Sequence, residues 1–237
     1  MTMITNNYTS VDCVVFAFDG QDLNVLLLKR SGIEAGEMFH DMKLPGALIY
    51  SDENLDIAAK RILKETTGLD DLQMMQFRAY GSAHRLDNPK DIHWLQNVMN
   101  MEINRIITVA YMAFIRFDEK IENSLKDTEA MMVKLSELPS LAFDHNQIIT
   151  DVRTFLSKWA LLDESLLFSM LPKKFTVLQY RLLLQAVTNK NIDNANIYKK
   201  IAQKPYIVPL DEKEQGFSHR AARYYSFDFN AWEAFNK

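Results

Sequence analysis

LPGALIYSDENLDIAAKRILKETTGL, residues 44–69, sets a glycine-bearing loop ahead of a helix and closes on a second glycine. From Asn54 to Thr67 the apolar residues Leu55, Ile57, Ala58, Ile62 and Leu63 recur at near-helical spacing, which predicts an amphipathic helix. Gly68 follows as the residue that lets the chain leave a helix in a left-handed turn. Upstream, VDCVVFAFDGQDLNVLLLKR (11–30) places two β-rich runs around DGQD and reads as a hairpin. Residues 31–43, with Gly32, Gly36 and mixed polarity, read as a loop ending in a short strand near Lys43. Downstream, 76–83 (QFRAYGSA) and 105–117 (RIITVAYMAFIRF) read as strands, and the polar, Met-containing 86–104 between them as an insertion or lid. A strand and a proline turn follow in 131–145, and NQIITDVRTFLSKWALL (146–162) returns to helical periodicity. Strand, helix, strands and a second helix imply a mixed α/β sheet sandwiched by helices over roughly the first 155 residues.

Beyond residue 165 the character changes. Thr176 can cap a helix whose Val177, Tyr180, Leu183, Leu184 and Val187 form one stripe, and after the polar turn NKNI, Asp193 can cap a shorter helix, NANIYKKIA. Two helices of unequal length across a tight turn make a helix-turn-helix candidate. Two β-rich runs around a charged loop in PYIVPLDEKEQGFSHRAARYYSFD would complete a winged helix. Ile192, Ile197, Tyr198 and Ile201 are expected to pack the second helix onto Leu183 and Val187. The sequence divides into 1–155 and 156–237, with 146–170 a candidate for domain contact and signal transmission.

Charge follows this division. The formal net charge is −4, yet residues 1–159 hold 16 Lys+Arg against 23 Asp+Glu, while 160–237 hold 11 against 8. A basic segment on an acidic body suits a polyanion partner for the tail, solvated surface charge being the alternative. The single cysteine, Cys13, lies in an apolar run and excludes an internal disulfide, in keeping with a cytoplasmic protein. No run of about 18 apolar residues suggests a membrane span.

Residues 44–69 resemble the Nudix box: Leu44, Pro45, Gly46, Glu53, Ala58, Ala59, Arg61, Leu63, Glu65, Thr67, Gly68 and Leu69 stand in the family's register without a gap. The resemblance implies a Nudix α/β/α sandwich, α/β (α+β) in class. In that family a divalent cation is held by glutamates converging from one helix face, at the positions occupied here by Ile62, Glu65 and Thr66. Only one of the three carboxylates remains, and Ala47 replaces the second loop glycine. The reading is therefore of a box that keeps its scaffold without its metal, and of no catalytic residue. Arg30, Lys43, Tyr50, Arg85 and Tyr111 lie at strand ends or in loops that would border the family's groove, and Glu53 and Glu65 are candidates for polar contact with a ligand or for pairing with Arg61.

A degenerate Nudix domain joined to a winged helix-turn-helix resembles the NrtR-type transcriptional regulators of NAD metabolism and, more distantly, the AraR-type sugar regulators. RIITVAYMAF (105–114), ELPSLAFDH (137–145), LLFSMLPKKFT (166–176), Asn196 to Ile201 and HRAARYYSF (219–227) carry this resemblance. It implies a repressor that binds palindromic double-stranded DNA as a homodimer and is released by ADP-ribose or a related nucleotide, with no cofactor required. Thr176, Asn194, Asn196, Lys199, Lys200, His219, Arg220 and Arg223 are the expected DNA contacts. A Nudix hydrolase using an unorthodox carboxylate set and a sugar-responsive regulator remain the alternatives.

Overall fold

The computed structural model describes residues 5–70, 72–214 and 221–235. Its elements begin with β1 (Thr5–Phe18), β2 (Leu23–Glu34), β3 (Glu37–Lys43), β4 (Gly46–Tyr50), α1 (Leu55–Thr67) and β5 (Met75–Tyr80). A 3-10 turn (Ala83–Leu86), α2 (Pro89–Met99), β6 (Ile107–Arg116), α3 (Glu119–Leu125), β7 (Ala130–Lys134) and α4 (His145–Leu162) follow. The remainder comprises α5 (Ser165–Phe168), β8 (Phe175–Thr176), α6 (Val177–Thr188), α7 (Asn194–Ala202), β9 (Ile207–Lys213), β10 (Arg223–Phe227) and α8 (Phe229–Phe235). The contacts form two units, one comprising residues up to Phe16, Asn24–Ala113 and Asp118–Arg153, the other Ala17–Leu23, Phe114–Phe117 and the chain from Thr154 onward.

Among the described residues the larger sheet runs β3-β2-β1-β6-β5, with β4 also pairing β1 and β7 also pairing β2. In the β1 and β4 ladder Asp12 stands opposite Gly46 and Val11 opposite Ala47. The sequence begins α1 where expected because the Asn54 side chain accepts the Ile57 amide hydrogen, and ends it because Gly68 adopts φ 70°. Ala58, Ala59, Ile62 and Leu63 form its buried face. Cys13 is buried, its sulfur 3.7 Å from the Ala59 carbonyl, and burial pushes its thiol pKa up, as befits an inert core residue.

One expectation for this unit needs correction. Residues 31–43 are not a loop: β2 continues to Glu34 and pairs with β3 across a turn in which Ala35 and Gly36 have positive φ. Its outer half does alternate in burial, but the less exposed positions are Arg30, Gly32 and Glu34, so no apolar alternation announces a strand. The insertion at 86–104 contains α2, capped by Asn88 and started by Pro89.

In the second unit β8-β10-β9 form a small sheet beside α6 and α7, the arrangement of a winged helix. Thr176 and Gln179 make a reciprocal capping box on α6, and the Asp193 side chain caps α7. Phe168 stacks on Tyr180 at 5.7 Å and on Phe227 at 4.2 Å, with Phe175 and Tyr206 close by. Ile197 and Ile201 bury the inner face of α7. Tyr198, expected among them, is instead 57 % exposed, because one residue further along a helix turns the side chain by about 100°.

Candidate ligand pocket and nucleic-acid interface

A pocket of the first unit lies along β1 and β4. Ser10, Asp12, Lys43 and Gly46 give it a polar end, and Leu86, Leu95, Met99 and Ile106 an apolar one. Asp12 is buried and faces three groups: Arg85 Nη2 at 3.4 Å, His145 Nε2 at 3.5 Å and the backbone of Gly46. His145 Nδ1 accepts the Leu44 amide hydrogen at 2.9 Å, which leaves the ring proton on Nε2 toward Asp12. Burial alone would raise the Asp12 carboxyl, but His145 and Arg85 outweigh it and hold the pKa well below the usual carboxylate range. Arg85 also meets Asp144 at 2.9 Å, while its Nη1 is buried with no hydrogen-bond partner among the described residues. Lys43 donates to the carbonyls of Leu44 and Gly46 at 3.1 and 3.0 Å, and burial lowers its ammonium pKa, an effect that Asp12 partly offsets.

The cavity measures about 50 Å³, room for little more than water, whereas pockets for nucleotide-sized ligands run to roughly 300–1,000 Å³. Leu95 and Met99 of α2 occupy its apolar end. Asp91 fastens α2 down by accepting from Arg30 Nη2 at 2.6 Å and from the Phe143 amide at 2.9 Å, the latter at a residue held at φ 55°. Lys90 meets Asp41 at 2.5 Å and Trp94 Nε1 donates to the Ser31 carbonyl at 3.1 Å.

This arrangement separates the residues the sequence grouped. Lys43 and Arg85 line the cavity. Arg30 does not border it: its side chain has no exposure, pairs with Asp41 and Asp91, and lies against the rings of Phe39, Trp94 and Phe143. Tyr111 is also buried, its hydroxyl donating to Asp56 at 2.6 Å, and burial together with that carboxylate raises its pKa. Tyr50 stacks beneath the Arg61 guanidinium at 3.8 Å. Glu53 accepts from Arg61 at 2.5 Å and from the Tyr50 amide, and Arg61 lowers its pKa; Glu65 meets Arg61 at 3.1 Å. Sequence reading missed Asp12 and His145, which bear on this pocket from β1 and from the start of α4. A carboxylate inside the apolar run VDCVVFAF was the available signal for Asp12.

The box positions do not fit a hard divalent cation. Ile62 is fully buried, Thr66 Oγ1 donates to the Ile62 carbonyl at 2.6 Å, and the remaining carboxylate, Glu65, is engaged by Arg61. Among the described residues no three His, Cys, Asp or Glu side chains converge as metal ligands. Ile62→Glu will therefore not rebuild an ion site. The new carboxyl will sit in the core, be driven toward its neutral form and cost about 2–3 kcal/mol in urea unfolding.

In the second unit a depression of about 280 Å³ lies between α6, α7 and β10, lined by Leu178, Arg181, Asn194, Tyr198, Arg223 and neighbouring residues. Asn194 and Lys199 are exposed on α7. Asn196 is exposed, and its side-chain amide donates to Asp193 at 2.6 Å. Arg223 is held by Asp211 at 2.9 Å. One expected contact is corrected, because Thr176 is buried as the α6 cap, while the part-exposed Lys200 pairs with buried Glu164 at 2.6 Å. His219 and Arg220 lie outside the described residues. Sequence reading missed Arg181 and Leu178, because the α6 periodicity marked only its inner stripe. Among the described residues no helix is long and apolar enough to cross a membrane.

Comparison with known proteins agrees with both halves. Residues 7–152 match the family profile described as NUDIX domain, and residues 167–227 the one described as NrtR DNA-binding winged helix domain. An ADPR responsive transcriptional repressor, NtrR, of Acinetobacter baylyi is 25 % identical over 231 residues, covering 93 % of this chain and 84 % of that protein. The crystal structure of Shewanella oneidensis NrtR complexed with a 27mer DNA is similar with a TM-score of 0.70 and 22 % identity, over 96 % of each chain. A MutT/nudix family protein from Enterococcus faecalis is similar with a TM-score of 0.62 and 20 % identity, over 96 % of this chain and 89 % of that one. At these identities the solved structures establish the fold.

Proposed function

Because the chain belongs to the Nudix family and ends in an NrtR-type winged helix, we propose that it is a transcriptional repressor released from operator DNA by ADP-ribose. The observation that carries this reading is the contrast within one domain: the catalytic helix face is closed by Ile62, while the pocket keeps Lys43 and Arg85 for an anion. Residues 1–155 form the effector domain and 156–237 the DNA-binding domain, and the protein acts in the cytoplasm as a homodimer on a palindrome.

Arg85 Nη1 and the Lys43 ammonium meet the diphosphate, and the apolar end receives the flat base. A nucleotide does not fit the cavity as it stands, so binding displaces Leu95 and Met99 with α2. Arg30, Tyr50, Glu53, Glu65 and Tyr111 hold the walls through the contacts described above rather than touching the ligand. Effector and DNA favour different arrangements, so binding of one weakens the other. The reading supports no hydrolysis, since among the described residues no carboxylate cluster suits the metal that the reaction in this family employs.

Calorimetric titration of the full chain with ADP-ribose in magnesium buffer tests the pocket. Saturable binding with the nucleotide recovered intact is expected; conversion with water to AMP and ribose 5-phosphate would restore the hydrolase reading. On the DNA side, Asn194 and Tyr198 face base edges and Lys199 a phosphate. Lys199→Ala is expected to weaken all duplexes alike and to reduce the salt slope of binding by about one, measured by anisotropy across a salt series.

A further inference from the structure

Glu164 follows α4 by two residues and precedes α5, and its carboxylate is buried. It accepts a hydrogen bond from the Tyr180 hydroxyl of α6, and it pairs with Lys200 of α7 at 2.6 Å and with Lys204 just beyond α7 at 3.1 Å. Burial alone would lower the Lys204 ammonium pKa, but Tyr206 and Glu164 together raise it. The Tyr180 hydroxyl is pushed up by burial and by the same carboxylate. One side chain thus gathers three points around the back of a helix that has only Ile197 and Ile201 buried in the core.

A carboxylate behind a basic helix opposes a polyanion electrostatically, so its value must lie in geometry. We propose that Glu164 is a positioning residue for DNA reading: it fixes the rotation of α7, through Lys200 and Lys204, so that Asn194, Tyr198 and Lys199 face the duplex. This rests on the DNA-binding reading above. It reassigns Lys200 from phosphate contact to the rear anchor of the recognition helix. The two accounts differ in sign. If Lys200 acts on phosphate, neutralising Glu164 frees two ammonium groups and strengthens binding. If Glu164 positions α7, the same change weakens the specific complex.

The test uses full-length native protein, Glu164→Gln, Lys200→Gln and the double variant. Each is titrated into the duplex that the native protein selects from a random-sequence pool, and into a scrambled duplex of equal length. Glutamine can still accept from Tyr180, and unchanged affinity for the scrambled duplex together with a native circular-dichroism spectrum and a cooperative melt well above the assay temperature reports an intact fold, the melting temperature itself being expected to fall with the buried pair. Expected is a loss of roughly ten-fold or more in affinity for the selected duplex in either single variant, with a double variant no worse than the singles and unchanged salt slopes. If Glu164→Gln does not fold, Lys200→Gln and Lys204→Gln carry the same comparison, each removing one arm. Tighter or unchanged binding by Glu164→Gln, or a salt slope lowered by about one in Lys200→Gln, would overturn the assignment while leaving the regulator reading intact. A native protein that selects no duplex would overturn that reading and this assignment with it.

Discussion

Gly46→Ala is expected to destabilise the chain by about 4 kcal/mol in urea unfolding and to abolish ligand binding in the first unit. A Cβ on Gly46 would lie 1.9 Å from Asp12 Oδ1 and 3.0 Å from the Val11 carbonyl, distances that no rotamer of the new side chain relieves. Asp12 cannot step aside cheaply, because Arg85, His145 and the surrounding core enclose its carboxylate. Moving it breaks a buried ion pair. The neighbouring position provides the control. Ala47 pairs with Val11 rather than Asp12, so Ala47→Gly, which restores the second glycine of the family's loop, will change stability by only about 0.5–1 kcal/mol. Equal effects at the two positions would contradict the close-approach argument.

Arg85→Met is expected to cost about 3–5 kcal/mol, since it leaves Asp12 in the core without its guanidinium and Asp144 with one fewer partner. The loss has a pH signature. A carboxyl whose pKa is depressed in the folded chain, as that of Asp12 is, stabilises the fold fully above its unfolded value near 4, and the contribution is lost progressively as the pH falls from there toward the depressed folded value. The difference between native protein and variant will therefore be full at neutral pH and narrow only as the pH falls below about 4. Chemical denaturation at several pH values measures it. A gap independent of pH would place the role of Arg85 in packing alone. Methionine keeps the apolar stem, which makes this substitution the sharper test of charge. In the effector reading, the variant also loses the group proposed to meet the ligand's phosphates.

The parts legible in the sequence were those written locally. Asn54, the apolar spacing and Gly68 define α1 within fifteen residues, and Thr176 with Gln179 and Asp193 define the starts of α6 and α7. The chemical meaning of Ile62 was equally local, because an aliphatic side chain cannot ligate a metal wherever the fold puts it. The pocket was legible only in part. Arg30 looked like a charge at a strand end, but its partner Asp91 lies 61 residues away on a helix that the sequence did not announce. Asp12 and His145 meet across 133 residues, and neither carries a local mark of the other. The partner of Lys200 was equally out of sight: Glu164 lies between α4 and α5, 36 residues earlier. Tyr198 was misplaced by a single helical position, where choosing the stripe that packs requires knowing the surface it packs on.

In the function proposed above, this Nudix domain holds a nucleotide in order to control a DNA reader, without cleaving it. Fluorescence anisotropy of a labelled promoter fragment from the protein's own gene neighbourhood, bound to the full chain and titrated with ADP-ribose, tests it most directly, with arabinose as control and nucleotide analysis of the same samples. DNA binding in the absence of nucleotide, release on adding ADP-ribose but not arabinose, and ADP-ribose recovered intact are expected. DNA binding that ignores ADP-ribose, or magnesium-dependent appearance of AMP and ribose 5-phosphate in place of release, would contradict it.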